Sequence, residues 1–362
     1  MTVWRLFALK MAFDLSSRKR LVACCLVLQI VAKCSASAAD EADCGRAPLN
    51  KLTKERHLSG YIVGGEAQEY GEWPSYIAVY TSLPNGKFKM CGGVLIGRRE
   101  VLTAAHCVLK KTNGGEEFDA EGGDAVAEQL LLVSGKNSFR ELFRDKYEQV
   151  HLVASICASK SFNATGRHED DYAILKLRRT INEFDEHLQP ACLPDARHLI
   201  DLNADELSAN FYENSCFGVG LGVVGYVEDP LGYKKLLHPK RVQKLQLEEV
   251  PRSRCKKAWR SVFELDKSQL CLAKFGSSKA GDSAKKPVGS LCHGDSGGPV
   301  LCLSRKLKRW TVVGITSLGD IDCRARRPMI LMNVRNVLPT IRSSCKLQVG
   351  DKEDEEEDYV TC

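Results

Sequence analysis

The chain has no apolar run long enough to cross a bilayer as a helix. Its best candidate, Leu21 to Ala32, has twelve residues, where about twenty are needed. It also has no close Cys-x-x-Cys pair, zinc-finger pattern, recognition-helix pattern or phosphate-binding loop. The sequence therefore gives no basis for a metal, a cofactor, a nucleic-acid partner or a membrane span. Helix signals are few and no internal repeat is visible. At 27% charged and 44% hydrophobic residues, the composition fits neither a disordered chain nor a membrane bundle. The formal net charge of +6 over 362 residues bears on solubility and association rather than on fold.

The chain does contain a leader, many cysteines and many short strand-like runs. Ser17-Arg18-Lys19-Arg20 precedes the apolar run, and Ala36-Ser37-Ala38 follows it with small residues suited to cleavage before Ala39. Residues 1–38 thus read as a signal peptide, with Met11 as an alternative start, and the protein as secreted and extracellular. A signal anchor is disfavoured by length. Sixteen cysteines fit an oxidising compartment, and removal of Cys24, Cys25 and Cys34 leaves an odd number. Residues 39–61 form a charged lead too short for a core. From Ile62 onward, apolar runs recur at Tyr76–Tyr80, Val94–Ile96, Tyr172–Leu177, Val219–Val224 and Val312–Ile315. Gly, Pro, Asn and charged turns separate them, the pattern of an all-β fold. Helices are expected at Arg252–Val262 and at Asn336–Ser344, the second with Pro339 in its first turn. Gly114–Gly123 reads as a surface loop. Residues 346–362 read as an acidic, disordered tail, because Asp351–Asp358 holds seven acids around one Lys and repels itself.

Three segments carry chemistry. In Gly294-Asp295-Ser296-Gly297-Gly298-Pro299, glycines flank a serine, so backbone N–H groups can converge where an oxyanion forms. The alternative is a tight turn without chemistry. Thr103-Ala104-Ala105-His106-Cys107 offers a general base, since histidine titrates near neutrality. Asp171, heading Asp171-Tyr172-Ala173-Ile174-Leu175-Lys176-Leu177, is a carboxylate able to orient an imidazole or simply to cap a strand. The adjacent Asp170 is its rival.

Together these segments resemble the chymotrypsin-like, or trypsin-like, serine protease family over roughly Ile62 to Ser344. His, Asp and Ser occur in the family's order, and Ile62-Val63-Gly64-Gly65 is similar to its mature N-terminus. The resemblance implies two packed six-stranded antiparallel Greek-key β-barrels with a short C-terminal helix, spanning 62–345. It implies His106 as base, Asp171 as orienter and Ser296 as nucleophile, with the oxyanion held by the Gly294 and Ser296 amides. It implies the disulfides Cys91–Cys107, Cys216–Cys302, Cys255–Cys271, Cys292–Cys323 and Cys44–Cys192, the last tethering a cleaved light chain of residues 39–61. Cys157, Cys345 and Cys362 remain, with Cys157–Cys345 as the favoured further pair. Activation is expected by cleavage between Tyr61 and Ile62, the new ammonium pairing with Asp295. Tyr61 departs from the usual Arg or Lys, which points to a chymotrypsin-like activator or self-processing.

By the same resemblance Ser290, Ser317, Gly319 and Met329 line the specificity pocket. Ser290 puts no formal charge at its base and Met329 fills volume, so medium apolar residues are expected before the cut. Asp320 or Asp322 at the rim keeps a trypsin-like reading open. Leu318 and Leu221 replace common tryptophans. Asn163-Ala164-Thr165 is a glycosylation sequon. Basic clusters at Lys234–Arg241, Arg252–Arg260 and Arg305–Arg309 are either solvated faces or a polyanion site. Expected partners are protein or peptide substrates, an activating protease and serine protease inhibitors. The competing functional class is a catalytically silent protease homologue that binds or regulates other proteins.

Overall fold

Apolar side chains at every second position favour strands, as in several segments of this chain. In the computed structural model, which describes residues 44–50 and 66–344, strands number eighteen among the described residues. Residues 84–85, 87, 109, 113–114, 118–126, 139–144, 160, 163–168, 196–206, 229–233, 263, 276–286, 320–322 and 324–325 are not described. The leader, most of the 39–61 lead, Tyr61, Ile62, Asn163, Asp320, Asp322, Cys345, Cys362 and the acidic tail thus lie outside the described residues. The N-terminal half contains β1 (Glu66–Ala67), β2 (Tyr76–Ser82), β3 (Phe88–Leu95), β4 (Glu100–Thr103), β5 (Lys110–Thr112), β6 (Gly115–Glu117), β7 (Leu130–Ser134), β8 (Gln149–Ala158) and β9 (Ala173–Leu177). The C-terminal half contains β10 (Phe211–Gly220), β11 (Gly225–Glu228), β12 (Lys234–Leu237), β13 (Gln243–Glu249), β14 (Gln269–Phe275), β15 (Pro287–Gly289), β16 (Pro299–Ser304), β17 (Trp310–Leu318) and β18 (Met329–Asn333). Strand β13 shows the rule: Gln243, Leu245 and Leu247 are buried while Lys244, Gln246 and Glu248 are half-buried.

Two antiparallel six-stranded barrels result. The first closes in the order β2-β3-β4-β9-β8-β7. The second runs β13-β10-β16-β17-β18-β14 and closes through pairing of β13 with β14. Numbering each barrel's strands by position gives the same ring, 1-2-3-6-5-4, in both. The halves repeat in topology although no sequence repeat shows. Closure leaves few unpaired edges.

Helices are short: α1 (Ala105–Val108), α2 (Leu207–Asn210), α3 (Arg252–Trp259) and α4 (Val334–Ser344). Helix α4 starts two residues before the expected Asn336, so Pro339 lies inside it rather than in its first turn. Helix α3 stops at Trp259, and the expected continuation to Val262 is a turn closed by Val262 N–H to Trp259 O. The expected loop from Gly114 instead begins as the β5–β6 hairpin.

The second barrel's interior holds Leu245, Leu247, Leu272, Val300 and Leu331. Trp73 meets Trp310 edge-on at 4.7 Å and Phe217 at 5.5 Å, joining the barrels through aromatic surface. A tighter seam runs from β3, whose Gly92 amide donates to the Ser296 carbonyl at 2.7 Å. A Cβ on Gly92 would stand 2.6 Å from Gly298 Cα, so only glycine allows this approach. The lead segment is docked as well as tethered. Besides Cys44–Cys192, Gly45 N donates to Pro190 O at 2.7 Å and Trp310 N donates to Gly45 O at 2.9 Å.

One buried ion pair stands out. The Lys136 and Glu148 side chains are 0% and 2% exposed and in direct contact, while the Lys136 carbonyl accepts from Gln68 Nε2 at 3.1 Å. Removing one partner leaves an uncompensated buried charge. Lys136→Met should therefore lower the unfolding free energy by about 3–5 kcal/mol, and Lys136→Met with Glu148→Leu should recover much of it. Urea titration of the three proteins checks this.

Candidate active site

Helix α1 presents His106, its ring 17% exposed, over a carboxylate that solvent does not reach. Asp171 Oδ2 lies 2.7 Å from His106 Nδ1, and Oδ1 accepts the His106 backbone N–H at 3.1 Å. The register before β9 decides which aspartate does this. Asp170 adopts φ +50°, and its carbonyl accepts the Tyr172 amide at 2.7 Å. Asp171 thereby turns inward, while Asp170 is half-buried on the other side of the chain. Burial pushes the Asp171 carboxyl up. The His106 charge, hydrogen bonds from His106 and Ser317, and the His106 amide outweigh it and hold the group below its ordinary range.

The serine hydroxyl joined to this pair belongs to Ser317, at the end of β17, which donates to Asp171 Oδ2. The sequence reading placed Ser317 only as a pocket wall, and nothing local to its segment signalled the bond. His106, Asp171 and Ser317 form one hydrogen-bonded chain. Ser296 is half-buried in the turn beyond. Among the described residues no hydrogen bond joins it to His106, whose Nε2 stands 3.9 Å from Cys107 Sγ. Such contacts are often open without substrate.

The turn around Ser296 is internally braced. Asp295 N donates to Cys292 O at 2.9 Å, Gly298 N to Asp295 O at 2.9 Å and Gly297 N to Thr316 O at 2.8 Å. Among the described residues, the Gly294 and Ser296 amides have no acceptor. Gly294 sits at φ +95°, a conformation that suits glycine and leaves its amide unused by the turn. Asp295, buried, accepts from Gly222 N at 2.7 Å and Cys292 N at 2.8 Å. Burial outweighs both bonds and pushes its carboxyl up to about 6.

The residues expected to line the pocket lie close to one another. Ser290 Oγ donates to Leu291 O at 2.8 Å, and the Leu291 amide donates to Met329 Sδ at 3.1 Å. A Cβ on Gly319 would lie 3.2 Å from the Leu291 carbonyl oxygen and 3.8 Å from Ser290 Oγ. Gly319 thus approaches Leu291 closely and Ser290 at ordinary contact distance. A groove of about 540 Å³ opens elsewhere, between Gln149–Leu152 and Arg178–Glu183, and contains none of these residues.

The five expected disulfides are present: Cys44–Cys192, Cys91–Cys107, Cys216–Cys302, Cys255–Cys271 and Cys292–Cys323. Cys157 is also disulfide-bonded. Two Cys–His–Cys groups, Cys91/His106/Cys107 and Cys292/His293/Cys323, are close enough to suggest metal ligation. Their cysteines are spent in disulfides and supply no thiolate.

A pH dependence follows from Asp295. Its folded value of about 6 lies above the ordinary 3.8, so the folded state resists its ionisation. Stability is fully present below about pH 4 and is lost as pH rises toward 6, by up to about 3 kcal/mol. Asp171 runs oppositely, adding stability above its ordinary value that is lost as pH falls through its lowered one. Asp295→Asn should flatten the fall between pH 4 and 6 in the intact chain, as measured by denaturant titration at stepped pH.

The trypsin family model matches residues 62–341 of the sequence. With two closed six-stranded barrels and a His–Asp–Ser arrangement at their junction, the chain belongs to the trypsin family and has the fold and side chains of a serine hydrolase.

Proposed function

We propose that this chain is a secreted serine endopeptidase that hydrolyses peptide bonds through an acyl-enzyme and is made as a zymogen cleaved before Ile62. The observation that carries this reading is the buried Asp171–His106 pair beside a turn with two unused amides. In the proposed reaction Ser296 Oγ attacks the substrate carbonyl as His106 Nε2 takes its proton. Asp171 stabilises the resulting imidazolium, and the Gly294 and Ser296 amides receive the oxyanion. His106 then returns the proton to the leaving amine, and water repeats the sequence to free the enzyme. The ten cysteines of the five bridges are not needed for this chemistry; the disulfides instead support a route through an oxidising compartment.

Ser296→Ala should fold normally yet lose hydrolysis by roughly 10⁴–10⁶-fold. Ser317→Ala should still be labelled at Ser296 by a serine-reactive phosphonate, because Ser317 only bonds Asp171. Labelling at Ser317, or wild-type turnover by Ser296→Ala, contradicts the assignment.

Processing at Tyr61–Ile62 should leave a two-chain protein. The lead is held both by Cys44–Cys192 and by the Gly45 hydrogen bonds. Peptide mapping without and with reductant checks whether it stays attached.

The close approach of Gly319 to the Leu291 carbonyl and the departure at Tyr61 support a second reading, a catalytically silent homologue that binds other proteins. Phosphonate labelling before and after cleavage at Tyr61–Ile62 separates the two: labelling gained on cleavage supports the zymogen, and none in either form supports the silent homologue. For the active form, the uncharged Ser290 and the volume of Met329 support cleavage after medium apolar residues. Met329→Gly should shift preference toward Phe and Tyr by about 1–3 kcal/mol per methylene-sized step accommodated. A cleavage profile on a diverse peptide library measures it, and dominant cutting after Arg or Lys would favour the Asp320/Asp322 alternative.

A further inference from the structure

We propose that Lys89 is a positioning residue for the catalytic histidine, an inference that rests on the serine-hydrolase reading above. His106 sits in a four-residue helix. In so short a helix every carbonyl belongs to the last turn, and the helix supplies no amide to satisfy them. The amide of Cys107 turns back to Ala104 O at 3.1 Å, outside the histidine itself. The His106 carbonyl is taken up by the half-buried Lys89, whose Nζ donates to it at 2.6 Å.

The two ends of one residue are therefore held by opposite charges. Asp171 Oδ1 accepts the His106 backbone N–H at 3.1 Å, and the Lys89 ammonium donates to its backbone C=O. Asp171 Oδ2 then holds the ring through Nδ1 at 2.7 Å. A cation at a helix C-terminus is favourable in its own right. With the backbone clamped on both sides, the direction of the Cα–Cβ bond is fixed, and so is the position from which Nε2 reaches toward the nucleophile.

The groups around His106 leave this task to Lys89. Asp171 faces it from the start of β9, and Ser317 on β17 acts only through Asp171. Cys107 Sγ, 3.9 Å from Nε2, belongs to the neutral Cys91–Cys107 disulfide. Lys89 is the basic side chain that reaches the histidine from β3. The next residue on that strand, Met90, lays its terminal methyl 2.9 Å from where a Cβ on Gly294 would be. Successive residues of β3 thus touch the base and the oxyanion turn.

The test compares Lys89→Met, which keeps the stem and loses the donor, with Lys89→Arg, which restores a charged donor. Steady-state kinetics, thermal melting and the low-field proton resonance of the His106 Nδ1–H···Asp171 bond are measured on processed protein. Lys89→Met should lower kcat about tenfold with KM changed less than about twofold, because a small misplacement of a catalytic group costs rate rather than binding. It should move or broaden the low-field resonance and leave Tm unchanged, and Lys89→Arg should recover the kcat and the resonance. Wild-type kcat and resonance in Lys89→Met overturn the proposal. So does a joint loss of Tm, kcat and KM that Lys89→Arg fails to repair, which would mark a structural residue. If the wild-type protein has no turnover, the serine-hydrolase reading fails by itself. The resonance then still decides for Lys89: displacement in the Met variant and not in the Arg variant upholds its hold on His106, and no displacement overturns it.

Discussion

The Asp171 carboxylate is ionised where water does not reach it, and much of the molecule is arranged to make that tolerable. Burying such a charge costs several kcal/mol unless hydrogen bonds replace its hydration. Here they come from the His106 ring and amide and from the Ser317 hydroxyl. Asp171 and His106 belong to the first barrel, and Ser317 to the second. The charge is therefore satisfied only when the barrels are docked in one relative position. Barrel docking and catalytic geometry are, in this sense, a single requirement.

Strand β3 enforces the same requirement by steric means. Gly92 contacts Gly298 too closely for any side chain, and its amide holds the Ser296 carbonyl. Its own carbonyl accepts the Thr103 hydroxyl at 2.7 Å, three residues before His106. One residue of the first barrel thus links the turn that carries Ser296 to the segment that carries the histidine. Cys91, its neighbour, is bonded to Cys107 on the far side of that histidine. This short piece of β3 thus ties the His106 segment to the turn that carries Ser296.

What could be read from the sequence follows from this division. The segments Thr103–Cys107, Asp171–Leu177 and Gly294–Pro299 carry their chemistry in consecutive residues, so they could be recognised before any strand was paired. The choice of Asp171 over Asp170 was also local, since the apolar run after it sets the register. By contrast, Ser317 lies 146 positions from the carboxylate it bonds, and Lys136 gains significance only once Glu148 is buried against it. The repeated strand order of the barrels leaves no trace in residue identities, because alternation specifies which side faces inward and not which strand is adjacent. The early start of α4 and the β5–β6 hairpin were missed for a related reason: Pro339 and the Gly-rich run argued for boundaries that the surrounding structure overrides.

The segment from Ser290 to Ser296 shows how closely the remaining functions are coupled. Ser290 bonds its neighbour's carbonyl, while the Leu291 amide holds Met329. Cys292 is bonded to Cys323 and also donates its amide to Asp295. Gly294 and Ser296 carry the unused amides. Ser290, the Cys292–Cys323 bridge, the two unused amides and Ser296 thus lie within seven consecutive residues, and the Asp295 carboxyl is their internal fastening. That carboxylate has two amide donors and a raised tendency to stay protonated. A positive charge entering its chamber would favour the ionised form and strengthen both hydrogen bonds, one to Cys292 and one to Gly222. The buried acid and the Leu291–Met329 contact therefore sit on one short segment, and a change in charge at Asp295 acts on the same backbone that holds Met329.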